Sequence, residues 1–218
     1  MYPSEIAMCK MRIAGLPVLD FVVLPGSTAQ ATKTILNALK FYQIGKAGFA
    51  DTDSPALFFS RRDSASDIEK TISKRVPGPT YFVRINPEFE HAHMGTIQIS
   101  AEGSMCFDIA PQFNRKDIVS IVEDWHLLTR GVLTPSHTFV RAPGQLLYRI
   151  IETKKEGTYK VNTNTAARFM RAMRENDYNT MLLELSNHFG TYSLNFVLQP
   201  NDQIIFAHPL VPAPLVSD

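Results

Sequence analysis

His93-Met94-Gly95-Thr96-Ile97-Gln98-Ile99-Ser100-Ala101-Glu102-Gly103-Ser104-Met105-Cys106-Phe107-Asp108-Ile109 is the stretch on which the fold class turns. Met105, Phe107 and Ile109 alternate with Cys106 and Asp108, the two-residue period of a strand with one buried face. Residues 94–100 read as the strand before it. Ala101-Glu102-Gly103 between them has the composition of a hairpin turn. The pair predicts an antiparallel sheet at the middle of the chain.

Upstream, residues 18–24 are apolar and rich in β-branched side chains, bounded by Pro17 and Pro25, and read as a buried strand. Ser27 or Thr28 opens a helix to about residue 43, with Ala31, Ile35, Leu39 and Tyr42 on one face and Gly45 and Gly48 after its end. Residues 56–60 form a short strand. Ser66 and Glu69 have capping-box spacing for a helix over 66–75, and Val76-Pro77-Gly78-Pro79 stops it. Residues 80–85 read as a further strand, which leads into the opening hairpin.

Downstream, Asn114 starts a helix over 114–129 with a stripe of Ile118, Ile121, Val122 and Trp125. Strands are expected over 136–140, 145–153 and 158–161. A helix over 166–175 presents Ala166, Phe169, Met170 and Met173, and strands over 180–185, 191–198 and 203–207 follow. The expected architecture is α+β, with about four helices and a mixed or antiparallel sheet in one globular domain over residues 1–208.

Composition narrows the class. The 218 residues carry 22 Lys+Arg against 21 Asp+Glu, a net charge of +1, with 44% hydrophobic residues. These values exclude a disordered tail, a rod and a disulfide scaffold, and they disfavour wholesale charge-driven nucleic-acid binding. Cys9 and Cys106 lack metal-site spacing, so neither a metal nor a cofactor is expected, and a reducing, cytoplasmic compartment is the simplest setting. Met1-Tyr2-Pro3-Ser4-Glu5 is not the start of a signal peptide. The longest apolar run falls far short of the ~20 residues that span a bilayer. No P-loop, nucleophile elbow or dinucleotide fingerprint occurs.

Two stretches share a form: His93-Met94-Gly95-Thr96 and His188-Phe189-Gly190-Thr191. They suggest an internal repeat of residues 66–111 and 164–209, and so two related halves. The pattern resembles that of two-histidine phosphoesterases, which carry one His-x-Thr/Ser strand in each half of a duplicated fold. The resemblance implies His93, Thr96, His188 and Thr191 as phosphate-holding catalytic residues. Here His and Thr stand three apart, so a bulge at Gly95 and at Gly190 is needed to bring them to one face. His91-Ala92-His93 reads as a solvated loop rather than a metal site, and Cys106 as a sheet residue rather than a nucleophile.

Two features suggest a partner. Residues 141–174 hold eight basic and two acidic residues, +6 net, leaving −5 elsewhere. Arg168, Arg171 and Arg174, with Lys154 and Lys155, are candidates to meet nucleic-acid or nucleotide phosphates. Residues 209–218 form an extended, proline-rich apolar arm, in which Leu210, Val211, Pro212, Pro214, Leu215 and Val216 are candidates to pack on a protein partner or a second copy. The leading expectation is a non-enzymatic binding or self-assembly module using this arm. The alternatives are a phosphate or nucleic-acid binder through the basic segment, and an enzyme of the phosphoesterase kind.

Overall fold

The computed structural model describes residues 4–41, 44–49, 57–74, 79–85, 92–110, 137–145, 147–151 and 163–211. The expected helix over 114–129 and strand over 158–161 lie outside these residues. The chain divides into two compact units, one of Leu19–Pro87 and one of Met1–Val18 with Glu88–Asp218. The class is α+β, as expected.

The smaller unit carries β1 (Phe21–Val23), α2 (Thr28–Leu39), β2 (Ile44–Phe49), β3 (Leu57–Ser60), α3 (Ala65–Ser73) and β4 (Pro79–Ile85). Its strands pair antiparallel in the order β1-β4-β2-β3. Ala31, Ile35 and Leu39 of α2 and Ile68 and Ile72 of α3 close over Ala47, Phe59 and Phe82 of the sheet. The cap of α3 is Ser64, two residues before the expected one. Its Oγ accepts the Asp67 N–H at 3.1 Å and its hydroxyl donates to the Asp67 carboxylate at 2.6 Å, satisfying an end donor of the helix. β2 is a strand where the two glycines suggested only a helix end. Gly45 belongs there because the Phe82 ring lies across it: a Cβ at Gly45 would stand 1.9 Å from the ring.

The larger unit begins with α1 (Ser4–Ile13), a helix not foreseen from the sequence, whose Ala7, Met8 and Met11 are buried. Then come β5 (His93–Ile99), β6 (Met105–Ile109), β7 (His137–Arg141), β8 (Arg149–Ile151), α4 (Thr163–Glu175), α5 (Tyr178–Phe189), β9 (Tyr192–Leu198) and β10 (Ile204–Leu210). The six strands pair antiparallel in the order β10-β9-β5-β6-β7-β8. The opening hairpin is therefore β5–β6, as read, and β9 flanks β5 on its other side.

The expected strand over 180–185 is instead part of α5. Met181-Leu182-Leu183 looks like a short apolar strand, a pattern that cannot be told from a buried helix segment by run length alone. The wider spacing decides it: Leu182, Leu185 and Phe189 are buried at helical intervals. The Tyr192 hydroxyl on β9 donates to the Leu182 carbonyl at 2.7 Å and ties helix to sheet. On the covered face Phe169 of α4 packs on Phe107 and Phe196, at centroid distances of 4.4 and 4.3 Å, and Phe107 stacks on Phe139 at 4.5 Å.

Gly95 makes this packing fit. It pairs with Phe196 on one side and Ile109 on the other, and a Cβ there would stand 2.3 Å from the Phe196 ring and 2.2 Å from the Asp108 carbonyl oxygen. A methyl group must push both strand and ring, so Gly95→Ala is expected to cost about 3 kcal/mol. Gly26, with open space around its Cα, serves as the control, and Gly26→Ala is expected to stay within about 0.5 kcal/mol. Urea unfolding of the two variants checks both values.

Candidate functional site

Strand alternation divides the side chains of the larger sheet into two sets. Ile97, Ile99, Met105, Phe107, Ile109, Phe139, Leu194 and Phe196 belong to the core with α4 and α5. The alternate positions form the other face, and across them runs one polar row. Asn195 of β9 pairs with Thr96 of β5, Thr96 with Asp108 of β6, and Asp108 with Thr138 of β7. Side chains directly opposite on antiparallel strands stand about 5 Å apart, so the four are consecutive neighbours. Asn195 and Thr96 are buried, at 4% and 5% exposure. Four adjacent polar side chains across the middle of a sheet are costly to desolvate unless they serve each other or a ligand.

Asp108 is the row's one carboxylate. Its Oδ1 accepts the Thr138 hydroxyl at 2.6 Å. Burial raises its pKa, and the Thr138 hydrogen bond opposes that shift in part. The neighbouring Cys106 thiol is pushed up to about 11 by burial and then by the Asp108 charge. It is a thiol at neutral pH, consistent with a sheet residue rather than a nucleophile. The structure thus assembles an oriented, half-buried acid flanked by neutral hydrogen-bonding groups, which can hold a proton or anchor a polar ligand.

The expected phosphoesterase constellation is not assembled. Gly95 lies in unbroken register on both sides, with no bulge, so His93 and Thr96 face opposite sides of β5. His93 lies 3.2 Å from the Thr165 hydroxyl of α4. Burial, and then the Arg168 charge, lower its pKa. His188 is an exposed residue of the last turn of α5. That turn leads into Tyr192, which pairs with Ile99 at the opposite end of β5 from His93. Six residues of strand separate the two ends by ~20 Å. Gly190 caps α5 at φ 69°, whereas Gly95 is strand, so the two look-alike stretches play different parts. Thr191 is exposed, and its hydroxyl accepts the Ala101 N–H at 3.2 Å.

The described residues include part of the basic segment and the start of the apolar arm. The Arg168 guanidinium pairs with Asp202 and donates to the carbonyls of Gln199 and Pro200 at 2.9 and 3.0 Å. It is committed to the β9–β10 turn, where Asp202 takes φ 65°. Arg171 and Arg174 are exposed on α4; Lys154 and Lys155 lie outside the described residues. Leu210 is the last residue of β10 and pairs with Ser193, and Val211 is buried at 1% exposure in the unit's own core. The arm thus begins as the unit's own strand rather than as a free surface; Pro212, Pro214, Leu215 and Val216 lie outside the described residues. The polar row escaped the sequence reading because its members lie far apart in the chain and only the register unites them. Its one visible signal was Asp108 among the outward positions of β6.

No protein-family model matches the sequence, and no curated protein matches it. Solved structures do match. D-cycloserine synthetase DcsG is similar at 9% identity with a TM-score of 0.52, over 99% of this chain and 64% of that one. The ATP-grasp ligase PsnB, complexed with a phosphomimetic variant of its minimal precursor, Mg and ADP, is similar at 8% identity and a TM-score of 0.51, over 98% of this chain and 51% of that one. PsnB with its minimal precursor gives 8% identity and a TM-score of 0.50, over 98% and 52%. This chain spans about half the length of the PsnB chains it matches. The likeness establishes the fold. It corrects the expectation of a non-enzymatic protein-binding or self-assembly module: the solved proteins that share this fold are a ligase and a synthetase. No described helix is long and apolar enough to cross a membrane.

The electrostatics of these residues can be tested at two points. A carboxyl whose pKa is raised by folding costs nothing where it is protonated in both states, and costs most above its folded pKa. Asp108→Asn should therefore match the wild type in Tm at about pH 3, below the ~3.9 of a free aspartate, and exceed it at about pH 8, as read by scanning calorimetry. Arg168→Ala should lower stability by about 1–2 kcal/mol by freeing the β9–β10 turn, with hydrogen exchange accelerating at residues 199–203.

Proposed function

We propose that this chain is the nucleotide-handling part of an ATP-dependent ligase. The observation that carries the reading is the fold match across 98–99% of the chain to DcsG and PsnB, the latter solved with ADP. The polar row supports it, since a ligand with many acceptors and donors suits neighbouring Asn, Thr and Asp side chains on one sheet face. In this reading Asn195 and Thr96 orient the bound group. Asp108, held in place by Thr138, accepts a proton from the attacking substrate. PsnB is solved with its precursor, and a peptide is the acceptor class we assign to this chain.

PsnB is also solved with Mg, and the described residues do not fit a magnesium site built by the protein. The row has one carboxylate, with one oxygen already engaged by Thr138. Among the described residues no group of three His, Cys, Asp or Glu could hold a metal ion. Magnesium commonly takes one or two carboxylates and completes its shell with waters and substrate phosphates. The row offers one carboxylate and the neutral oxygens of its Thr and Asn side chains, too few anionic ligands for the protein alone to complete the shell.

Titration calorimetry of the full chain with ATP in magnesium buffer tests the reading. Saturable binding at about 1 mM or tighter is expected, weakened by Asn195→Leu and by Thr96→Val. Circular dichroism establishes that both variants are folded. A folded chain that gives no saturable heat with ATP, or variants that bind as the wild type does, would overturn it.

A further inference from the structure

The smaller unit holds a cavity of about 540 Å³ between the C-terminal half of α2 and the end of β3. That volume lies in the range of small-molecule sites. Its walls include Lys33 and Lys40 from α2 and Arg61 and Asp63 just past β3, over a floor of Leu36 and Leu39. Three cationic side chains against one carboxylate leave the lining at +2.

The end of a helix ordinarily repels an anion, because its last carbonyls are unpaired and the dipole is negative there. Here that obstacle is removed. Arg61 Nε donates to the Leu39 carbonyl at 2.8 Å and its Nη2 to the Lys40 carbonyl at 2.7 Å. The same bonds fix the guanidinium at the cavity wall, so little freedom remains to be lost when a ligand arrives. The carboxylate of Asp63 is occupied as well: its Oδ2 accepts the Ser60 N–H at 2.6 Å. The cations that remain adjustable are Lys33 and Lys40, both exposed at the rim.

We infer that this cavity binds a small phosphate monoester with an apolar body. The dianionic phosphate matches the +2 lining, since a monoester carries nearly two charges above its second ionisation near pH 6. The apolar body matches Leu36 and Leu39. The site lies wholly within the smaller unit.

The test is an amide NMR titration of the full chain with phenyl phosphate, benzoate and inorganic phosphate. Phenyl phosphate should give saturable shifts at residues 33–40 and 60–63. Benzoate, a monoanion of similar apolar size, should bind more weakly, and inorganic phosphate, which lacks the apolar body, should also bind more weakly. Combining Lys33→Ala with Lys40→Ala should weaken phenyl phosphate by about tenfold, and raising salt to about 0.5 M should weaken it severalfold. Arg61 is left intact in these variants because it also caps α2. Lys70→Ala on α3 is the charge control and should change nothing. Three outcomes would overturn the inference: no saturable shifts in this segment, benzoate binding as tightly as phenyl phosphate, or the double variant binding as the wild type does.

Discussion

The packing of the larger unit depends on one missing methyl group. β5 is the strand with β9 on one side and β6 on the other. Because Gly95 has no Cβ, the Phe196 ring can lie against the strand rather than stand away from it. That lowered ring is half of the platform on which Phe169 of α4 rests, with Phe107 as the other half. Phe107 in turn stacks on Phe139, which carries the contact to β7. A glycine that weakens a strand on propensity grounds thus sets how closely a helix layer can approach the sheet. The smaller unit uses the same device at Gly45 and Phe82.

Much of this sheet was legible from the chain itself. The alternation of Met105, Phe107 and Ile109 gave the face of β6, and the same alternation left Asp108 on the other side. The segments that became β3, β4, β5 and β9 lie within a residue or so of their expected bounds. The errors have physical causes. Tyr178 to Phe189 carries apolar residues at both strand-like and helix-like intervals, and the burial of Leu182, Leu185 and Phe189 against the sheet selects the helix. α1 turns Ala7, Met8 and Met11 inward, and one alanine with two methionines makes too thin an apolar stripe to stand out among its polar neighbours. β2 contains two glycines that local propensity assigns to a helix end. Only the ring of Phe82, more than thirty residues away, explains why one of them is strand.

The site was less legible than the fold, for a reason that holds generally. A functional constellation that follows a sequence motif can be read from spacing. One assembled by sheet register cannot, because Thr96, Asp108, Thr138 and Asn195 become neighbours only after four strands have aligned. The features that caught attention in the sequence were consumed by structure instead. Arg168 secures a turn, Val211 fills a core, and His93 packs beside Thr165 at the sheet's end. Conspicuous residues are often conspicuous because they solve a local folding problem.

β10 lies at an edge of the six-stranded sheet, where exposed backbone donors and acceptors would invite a strand from another molecule. Its register shifts between Ala207 and Leu210, and Pro209 sits within that irregularity. Earlier on the same strand, the Phe206 N–H donates to the Pro17 carbonyl at 2.7 Å, and Val18 forms a bridge beside it. The rim is thus occupied at one point, and its regular course is broken at another. These two devices act as a built-in guard against edge-to-edge aggregation, and they give the proline of the apolar terminus a protective role: keeping one copy of the chain from templating the misassembly of the next.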